Sequence, residues 1–174
     1  AGNYNLVSQT GLTANIAKAD LVVTGLQVSD KIYDAGLTAS LLGTASINVL
    51  GSDQVTLAGS AAGVYADKNV GTAKAISITG NTISGTDASN YNLIQQVGVT
   101  AGITKANLNV TGLSVADKVY DSGLVATLSG SAQASALAGD NVAIDGTAIG
   151  RYTDKNVGIN KAITITGHSM SGTD

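Results

Sequence analysis

Two short clusters of oxygen-bearing side chains are the first candidates for metal binding. Asp67 stands two residues before Asn69, and Asp154 stands two residues before Asn156. Carboxylate and amide oxygens are the ligands that Ca²⁺ prefers in proteins. Neither cluster reaches the aspartate density of a calcium-binding loop, and the same residue types at this spacing form turns. We therefore favour turns, keep the four residues as weak calcium candidates, and expect no cofactor.

Catalytic chemistry has few residues to draw on. His168 is the single histidine, and the sequence contains no cysteine and no glutamate. A lone histidine lacks the companions that a zinc site or a serine triad needs. An amide cross-link between a lysine and an aspartate or asparagine would require both side chains to be buried together, and lysine is rarely buried. We therefore expect no catalytic residue and no enzymatic activity.

A tyrosine-containing motif occurs twice and reveals an internal repeat. The pattern Lys-x-Tyr-Asp-x-Gly spans residues 31–36 and again residues 118–123, which are 87 positions apart. Residues 1–87 align with residues 88–174 without a gap, and 50 of these 87 positions are identical. Residues related by this offset are called twins below. The chain is therefore two copies of one unit.

The motif residues are interpreted as structural rather than reactive. We expect Tyr33 to bury its ring and to reach a backbone group through its hydroxyl. Asp34 and Gly36 predict a turn that the carboxylate closes, with Gly36 in the left-handed region. The same roles are assigned to Tyr120, Asp121 and Gly123 of the twin motif. The tyrosines outside the two motifs are also interpreted as structural; they are Tyr65, Tyr152, Tyr4 and Tyr91.

The composition predicts an all-β fold. The apolar residues are almost all Val, Ile, Leu and Ala, and 22 glycines separate short runs of them. No window shows the apolar spacing of an amphipathic helix, whereas Val, Ile, Thr and Tyr favour strands. We predict tandem small β-sandwich-like domains, either Ig-like or β-grasp-like, with no significant helix.

Local patterns orient one strand. Alternation along residues 21–23 predicts that Leu21 and Val23 face the core while Val22 faces water. Gly25 and its twin Gly112 follow within the same apolar run and predict a bend or bulge.

The repeat frame divides the chain into three parts. Residues 1–19 match the end of a repeat and are expected to form two short closing strands, split near Gly11 as their twins are near Gly98. Residues 20–106 form one complete repeat, and residues 107–174 form a second repeat that lacks its closing strands. The junction near residue 106 has no flexible composition, so we expect stiffly joined domains.

The charge balance excludes two classes of partner. Charged residues make up 12% of the chain, and the net charge is −3. A nucleic-acid-binding domain would show a basic footprint, which is missing. No basic patch suits a membrane surface, and no apolar run reaches the ~18 residues of a bilayer span. We therefore expect neither nucleic-acid binding nor membrane insertion.

Four motifs in fixed order carry a family resemblance. They are Lys-x-Tyr-Asp-x-Gly, Gly-Asp-x-Val at residues 139–142, Asp-Lys-Asn-Val-Gly at residues 67–71 and 154–158, and Ser-Gly-Thr-Asp-Ala-x-Asn-Tyr at residues 84–91. This pattern resembles the YDG-type and related MBG repeats of large bacterial adhesins, which are filamentous haemagglutinin-like surface proteins. The resemblance implies β-rich modules in an extracellular or surface-anchored protein, a stalk or fibre role, and no catalytic residues.

Two functional hypotheses follow. The leading one is a stalk or fibre segment of an adhesin or biofilm matrix protein, whose partners are neighbouring repeats and whose glycan or protein ligand binds a tip outside this segment. The alternative is a module that binds a glycan or protein through loops such as residues 43–52. The frame also suggests that identical chains join head to tail, because residues 1–4 after residue 174 would recreate the internal junction at residues 87–91.

Overall fold

The computed structural model describes residues 2–137 and 139–174 and confirms the all-β prediction. About 51% of the chain lies in strands, and the described part contains no helix of seven or more residues. A single 3-10 turn spans Ala88–Asn90. Within the described residues, no helix has the length and apolar character needed to cross a membrane.

The first copy contains seven strands. Their bounds are β1 Ala19–Val22, β2 Thr24–Val28, β3 Lys31–Ile32, β4 Thr38–Ala39, β5 Leu41–Ser46, β6 Thr56–Tyr65 and β7 Gly71–Ser84. The second copy contributes another seven described strands. They are β8 Tyr91–Ile94, β9 Thr100–Thr104, β10 Val110–Val115, β11 Val125–Ala126, β12 Leu128–Ala134, β13 Val142–Tyr152 and β14 Ile163–Gly172.

The first compact unit consists of Ala1–Ser29, Thr38–Tyr65 and Ala75–Thr100. Strand β6 pairs antiparallel with both β4 and β7, and β2 pairs antiparallel with β5. Strand β1 pairs in parallel with β8, with Ala19 opposite Tyr91. The core is small and aliphatic apart from two tyrosines, and its buried members are Leu21, Val23, Leu26, Ala39, Tyr65, Ile76, Ile78 and Tyr91.

The sequence-predicted local features of this unit are confirmed. Leu21 and Val23 are buried while Val22 is exposed, so the alternation holds. Gly25 has a φ of +90°, and the pairing register shifts between the residues on either side of it, as in a bulge. Its twin Gly112 has a φ of +86° and a register shift at the same place.

The second compact unit consists of Asp30–Leu37, Ala66–Lys74 and Ala101–Asp174. It therefore combines two segments of the first copy with most of the second. Strand β3 pairs in parallel with β9, β10 pairs antiparallel with β12, and the order β11-β13-β14 is antiparallel. The repeat boundaries at residues 20–106 and 107–174 stay a prediction.

Twin segments differ in one systematic way. Strands β2, β4, β5, β6 and β7 have described twins in β10–β14, and all of them lie in antiparallel pairs. Strands β1, β3, β8 and β9, which form the two parallel pairs, have no strand at their described twin positions. Strand β14 also begins five residues later than the twin of the first residue of β7. The strands without a counterpart are therefore β8 and β9, which we call the closing strands, and the strands that pair in parallel with them.

The prediction of two strands within residues 1–19 differs from the structure. Residues 4–18 form no strand and are exposed, and Ala1 lies outside the described residues. Their twins do form two strands, β8 and β9, separated by a loop that contains Gly98. Gly11 and Gly98 both have a positive φ, of +79° and +78°. The two segments thus share this local feature, whereas a strand also needs a partner.

Candidate functional site

The repeated tyrosine motif forms a corner that a lysine fastens. Asp34 Oδ1 accepts a hydrogen bond from the Gly36 amide at 2.9 Å, which confirms the predicted turn. Lys31 Nζ donates to the same oxygen at 2.6 Å and to the Gly36 carbonyl at 2.8 Å. Lys31, and then the Gly36 amide, lower the pKa of the Asp34 carboxyl.

The left-handed residue of this corner is not the predicted one. Ala35 has a φ of +60°, whereas Gly36 has no positive φ. A Cβ on Gly36 would lie 3.4 Å from Asp34 Oδ1, so glycine leaves room for the folded-back carboxylate. The left-handed residue of the turn is Ala35, one position before the glycine, because the Asp34 carboxylate accepts a hydrogen bond from the Gly36 amide.

The twin corner has the same geometry. Asp121 Oδ1 accepts the Gly123 amide at 2.9 Å, and Lys118 Nζ donates to that oxygen at 2.8 Å. Lys118 is the main cause of the lowered pKa of Asp121. Ser122 carries the positive φ of 60°, so the correction made for Gly36 applies equally to Gly123.

One tyrosine pair shows how burial differs between the copies. Tyr65 is fully buried, and its hydroxyl donates to the Ser29 carbonyl at 3.4 Å. Its twin Tyr152 is only half-buried, and Lys118 Nζ lies 5.2 Å from its ring centroid. The same side chain therefore belongs to a closed core in one copy and to an open surface in the other.

A second pair shows the same contrast more strongly. Tyr91 is buried; its hydroxyl donates to Asp53 Oδ2 at 2.6 Å and accepts the Leu50 amide at 3.1 Å. The hydrogen bond to Asp53, followed by burial, raises the pKa of Tyr91. Its twin Tyr4 is exposed. Tyr91 therefore has the predicted structural role, whereas Tyr4 lacks the buried environment that surrounds its twin.

Tyr33 belongs to a charged cluster inside the second unit, which we call the joint cluster (Tyr33, Lys68, Asp140 and Asp174). The Tyr33 hydroxyl donates to Asp140 Oδ1 at 2.8 Å. Lys68 Nζ lies 2.6 Å from the same oxygen and 2.9 Å from Asp174 Oδ1. The Asp140 side chain is only 4% exposed. The predicted backbone partner of the Tyr33 hydroxyl is therefore replaced by a carboxylate 107 residues away, which no local pattern identifies.

The surroundings of the joint cluster favour the charged forms of Lys68 and Asp174 and the neutral form of Tyr33. Asp140, followed by Asp174, raises the pKa of Lys68. The Asn141 amide, followed by Lys68, lowers the pKa of Asp174. Burial, followed by the hydrogen bond to Asp140, raises the pKa of Tyr33. The raised pKa of Lys68 and the lowered pKa of Asp174 favour an ion pair between the two side chains, whereas an amide cross-link would require a neutral amine.

Each copy carries both halves of the joint cluster. The tyrosine and the lysine come from the first copy, and the two aspartates come from the second. The corresponding twins are Tyr120, Lys155, Asp53 and Asp87. Every copy therefore contains the tyrosine and lysine that contact the following copy and the two aspartates that contact the preceding copy.

The weak calcium candidates are occupied by protein groups. Asp67 Oδ1 accepts the Asn69 amide at 2.8 Å and Lys74 Nζ at 2.6 Å. The twin turn is the same, with Asp154 Oδ1 accepting the Asn156 amide at 2.8 Å. Lysine is the main cause of the lowered pKa at both aspartates. In the described part of the chain, no three acidic, histidine or cysteine side chains are gathered as metal ligands.

The second unit also contains an open groove of about 590 Å³. Its walls include Lys118 and Tyr120 of the corner and the core-type residues Tyr152 and Ile163. The twins of Tyr152 and Ile163 are buried in the first unit. We call this feature the open groove; its other lining residues include the charged side chains Asp117, Lys155 and Lys161.

The closing strands cover the corresponding positions of the first copy. The Val23 amide donates to the Ile94 carbonyl at 2.9 Å, and the Ile76 amide donates to the Val99 carbonyl at 3.0 Å. Val23 is 0% exposed, whereas its twin Val110 is 40% exposed. The segment that contains β8 and β9 therefore converts an open surface into a core.

Two adjacent glutamines fasten this closing segment. Gln96 accepts the Leu26 amide at 2.8 Å and donates to the Leu26 carbonyl at 2.7 Å. Gln95 Oε1 accepts from Asn81 Nδ2 at 2.7 Å, and Gln95 Nε2 donates to the Asn81 carbonyl at 2.9 Å. Each glutamine thus makes a paired hydrogen bond that replaces regular strand pairing.

His168 is the twin of Asn81 and has no such partner. Its Nε2 atom is buried and makes no hydrogen bond among the described residues. A buried polar atom without a partner is costly and unusual in a folded protein.

Sequence reasoning missed the lysine and the buried aspartate of the joint cluster. Lys68 was included only in a turn, and Asp140 only in a motif. The available signal was the identity of both residues with their twins, Lys155 and Asp53, because turn formation does not require a lysine there. Their mutual contact spans 72 residues and could not be derived from spacing.

The comparison with known families gives one match. The sequence profile of the YDG domain matches residues 17–99 and again residues 104–174. No curated protein and no solved structure matches the chain.

Proposed function

Because the chain belongs to the YDG domain family, we propose that it is a structural segment of a stalk or fibre. Its setting would be a secreted or surface-anchored bacterial adhesin or biofilm matrix protein, outside the cell. Tandem β domains would supply length and stiffness, and the segment would perform no catalysis. Its partners would be neighbouring repeats, while a glycan or protein ligand would bind a tip outside this segment.

The joint cluster is the observation that carries this proposal. Tyr33 and Lys68, from two segments of the first copy, contact Asp140 of the second copy, and Lys68 also contacts Asp174; all four residues lie inside one compact unit. Because the halves recur every 87 residues, an array of such repeats can form the same contact at each junction. A repeated contact of this kind is what a linear array of domains requires.

Burial makes the contact resistant to opening. The Asp140 side chain is almost fully covered and accepts both the Tyr33 hydroxyl and Lys68. Separation of the partners would leave a buried carboxylate without compensation, which is strongly unfavourable. A junction of this type favours a fixed angle between successive repeats over free rotation.

A scattering experiment tests the stiffness. Concatenated chains of two, four and eight copies would be compared by small-angle X-ray scattering, with Lys68 and its equivalents present or changed to Met. A stiff array gives a radius of gyration nearly proportional to copy number, whereas a flexible chain grows roughly as the square root. We expect proportional growth with lysine and slower growth after Lys68→Met.

Lys18→Met and its equivalents are the matched control, since Lys18 is an exposed lysine outside the joint cluster. Square-root growth of the unmodified array would refute the stalk function. The alternative of a binding module is tested by a glycan array, on which specific binding by this two-copy chain would favour the alternative.

A further inference from the structure

We propose that the parallel pair of β1 with β8 is a mechanical clamp that keeps the first unit closed when the chain is under tension. This inference deepens the proposed stalk function and rests on it, because a stalk that connects a cell to a surface is pulled along its length. The clamp adds a property that stiffness does not imply, namely slow forced unfolding. Forced unfolding is governed by the unfolding barrier rather than by equilibrium stability.

The direction of the force on this pair follows from the direction of its strands. Ala19 lies opposite Tyr91 and Val22 opposite Ile94, so the two strands run the same way. The chain enters β1 beside Ala19 and leaves β8 beside Ile94, at opposite ends of the pair. Tension therefore slides the strands past each other and loads their evenly spaced hydrogen bonds together.

The antiparallel pairs of the first unit are loaded in a different way. The chain enters β2 at Thr24 and leaves its partner β5 at Ser46, and these two residues lie opposite each other. The same holds for β6 and β7, where Thr56 lies opposite Ser84. Tension on such a pair acts at one end and opens its hydrogen bonds one at a time. It therefore shears the β1–β8 pair, whereas it unzips these antiparallel pairs.

Side chains extend the clamp beyond the backbone bonds of the two strands. Asn92 Nδ2 donates to Asp20 Oδ1 at 3.3 Å, which ties β8 to β1 across the pair. Beyond the end of β8, Gln96 accepts the Leu26 amide at 2.8 Å and donates to the Leu26 carbonyl at 2.7 Å. The residues joined are 72 and 70 positions apart, so these bonds continue the parallel pairing past the regular strands.

Burial shields the clamp from water. Leu21 is 2% exposed, Val23 is 0% exposed and Tyr91 is 5% exposed. The Tyr91 hydroxyl also donates to Asp53, which fixes the first residue of β8. A covered hydrogen bond is stronger than an exposed one, and no water molecule takes over while it stretches. The pair should therefore break only when several bonds fail together.

A second parallel pair with the same geometry lies in the second unit. Strand β3 pairs with β9, with Lys31 opposite Ile103 and a separation of 72 residues, as in the first pair. The Gly102 amide donates to Asp30 Oδ1 at 2.6 Å beside this pair. The chain enters β3 and leaves β9 at opposite ends, so tension shears this pair as well.

Single-molecule pulling in two directions tests the clamp on the full chain. The sequence contains no cysteine, so handles can be attached at chosen pairs of introduced cysteines. Handles at Lys18→Cys and Val97→Cys pull the β1–β8 pair from opposite ends and shear it. Handles at Lys18→Cys and Ser89→Cys pull the same pair from one end and unzip it. All three positions are exposed, so the two chains differ in pulling direction and not in the bonds of the pair.

The shearing direction should need the larger force. At equal loading rate, we expect a rupture force at least about twofold higher than in the unzipping direction, because several hydrogen bonds must break together rather than singly. Rupture in shear should release the 72 residues between the paired strands in one step of about 250 Å, at about 3.5 Å per residue. One step is expected because the antiparallel pairs that remain are unzipped by the same tension.

A glutamine variant distinguishes a clamp from a general loss of stability. Gln96→Ala removes the paired bond to Leu26 and should lower the rupture force in shear by about a fifth or more. The force in the unzipping direction should stay unchanged, because unzipping begins beside Ala19 and reaches Gln96 last. Gln27→Ala is the matched control, since Gln27 is an exposed glutamine next to Leu26; it should leave both forces unchanged.

Two results would overturn the proposal. They are equal rupture forces in the two directions, and a Gln96→Ala chain whose two rupture forces fall alike. Neither result changes the scattering of concatenated repeats. A stiff array with equal forces would reject the clamp and keep the stalk, whereas square-root growth with a high shearing force would reject the stalk and leave the clamp as a property of the fold.

Discussion

Val23 and Val110 provide a direct measure of what the closing strands contribute. The two valines are twins, yet Val23 is completely buried and Val110 is 40% exposed. The Val23 amide also bonds to the Ile94 carbonyl of β8, so the closing segment covers it directly. Substitution of each valine by alanine removes the same atoms from two different environments.

The expected magnitudes differ by about a factor of two to three. Removal of two buried carbons costs about 1.6 kcal/mol in transfer free energy, at about 0.8 kcal/mol per carbon. The cavity that remains costs about 24 cal/mol per Å³ in addition, so Val23→Ala should lower the free energy of unfolding by about 2–3 kcal/mol. At Val110 the transfer loss falls to about 1 kcal/mol, and no closed cavity forms because the surface is already open.

Urea denaturation followed by far-ultraviolet circular dichroism gives the free energies of unfolding. Amide hydrogen exchange at residues 19–28 and 106–115 assigns each loss to its own segment. Val22→Ala is the control, because Val22 is exposed on the same strand and its substitution should change the free energy by less than about 0.5 kcal/mol.

Equal losses at the two positions would refute this reasoning. They would show that Val110 is as deeply buried in solution as Val23, and hence that the surface around Val110 is covered. A larger loss at Val110 would contradict the reasoning more strongly.

Three further predictions concern single contacts. The pKa values of Asp67 and Asp174 are lowered in the folded state, so their stabilising contribution is present above a pH of about 4 and is lost as the pH falls through the folded-state pKa. The midpoint of thermal unfolding should therefore be constant from about pH 6 to 8 and should fall below about pH 4. An unchanged midpoint at pH 3 would contradict this prediction. Tyr91→Phe removes the hydroxyl bonded to Asp53 and should cost about 1.5–3 kcal/mol in chemical denaturation, whereas a loss below about 0.5 kcal/mol would show that the bond is replaced by water. Gly25→Ala places a Cβ 2.4 Å from a backbone carbonyl oxygen at a φ of +90° and should destabilise by more than about 1 kcal/mol; unchanged stability would mean that the bulge is not formed as described.

The sequence was sufficient for features that depend on neighbouring residues. Alternation identified Leu21 and Val23 as core residues, and glycine within an apolar run identified the bulge at Gly25. The carboxylate turn at Asp34 was also predictable, although its left-handed residue was assigned one position too late. In each case the physical cause lies within a few residues.

Contacts over long separations were not predictable. The bond from Tyr33 to Asp140 spans 107 residues, and nothing in the spacing of either residue indicates the other. The absence of strands in residues 4–18 has the same origin. A strand pattern specifies which residues alternate, but its hydrogen bonds require a partner whose presence the pattern does not record.

The two copies separate these contributions, since nearly the same sequence occurs with and without its closing segment. The antiparallel pairs survive without that segment because their partners follow one another along the chain, as β13 and β14 do. The parallel pairs β1–β8 and β3–β9 join residues 72 positions apart and have no counterpart at their described twin positions. Formation of a parallel pair orders a long intervening chain, so it depends most on a complete set of partners. In this chain the antiparallel pairs therefore form a framework from nearby segments, and in the first unit the segment that contains β8 covers that framework and turns it into a core.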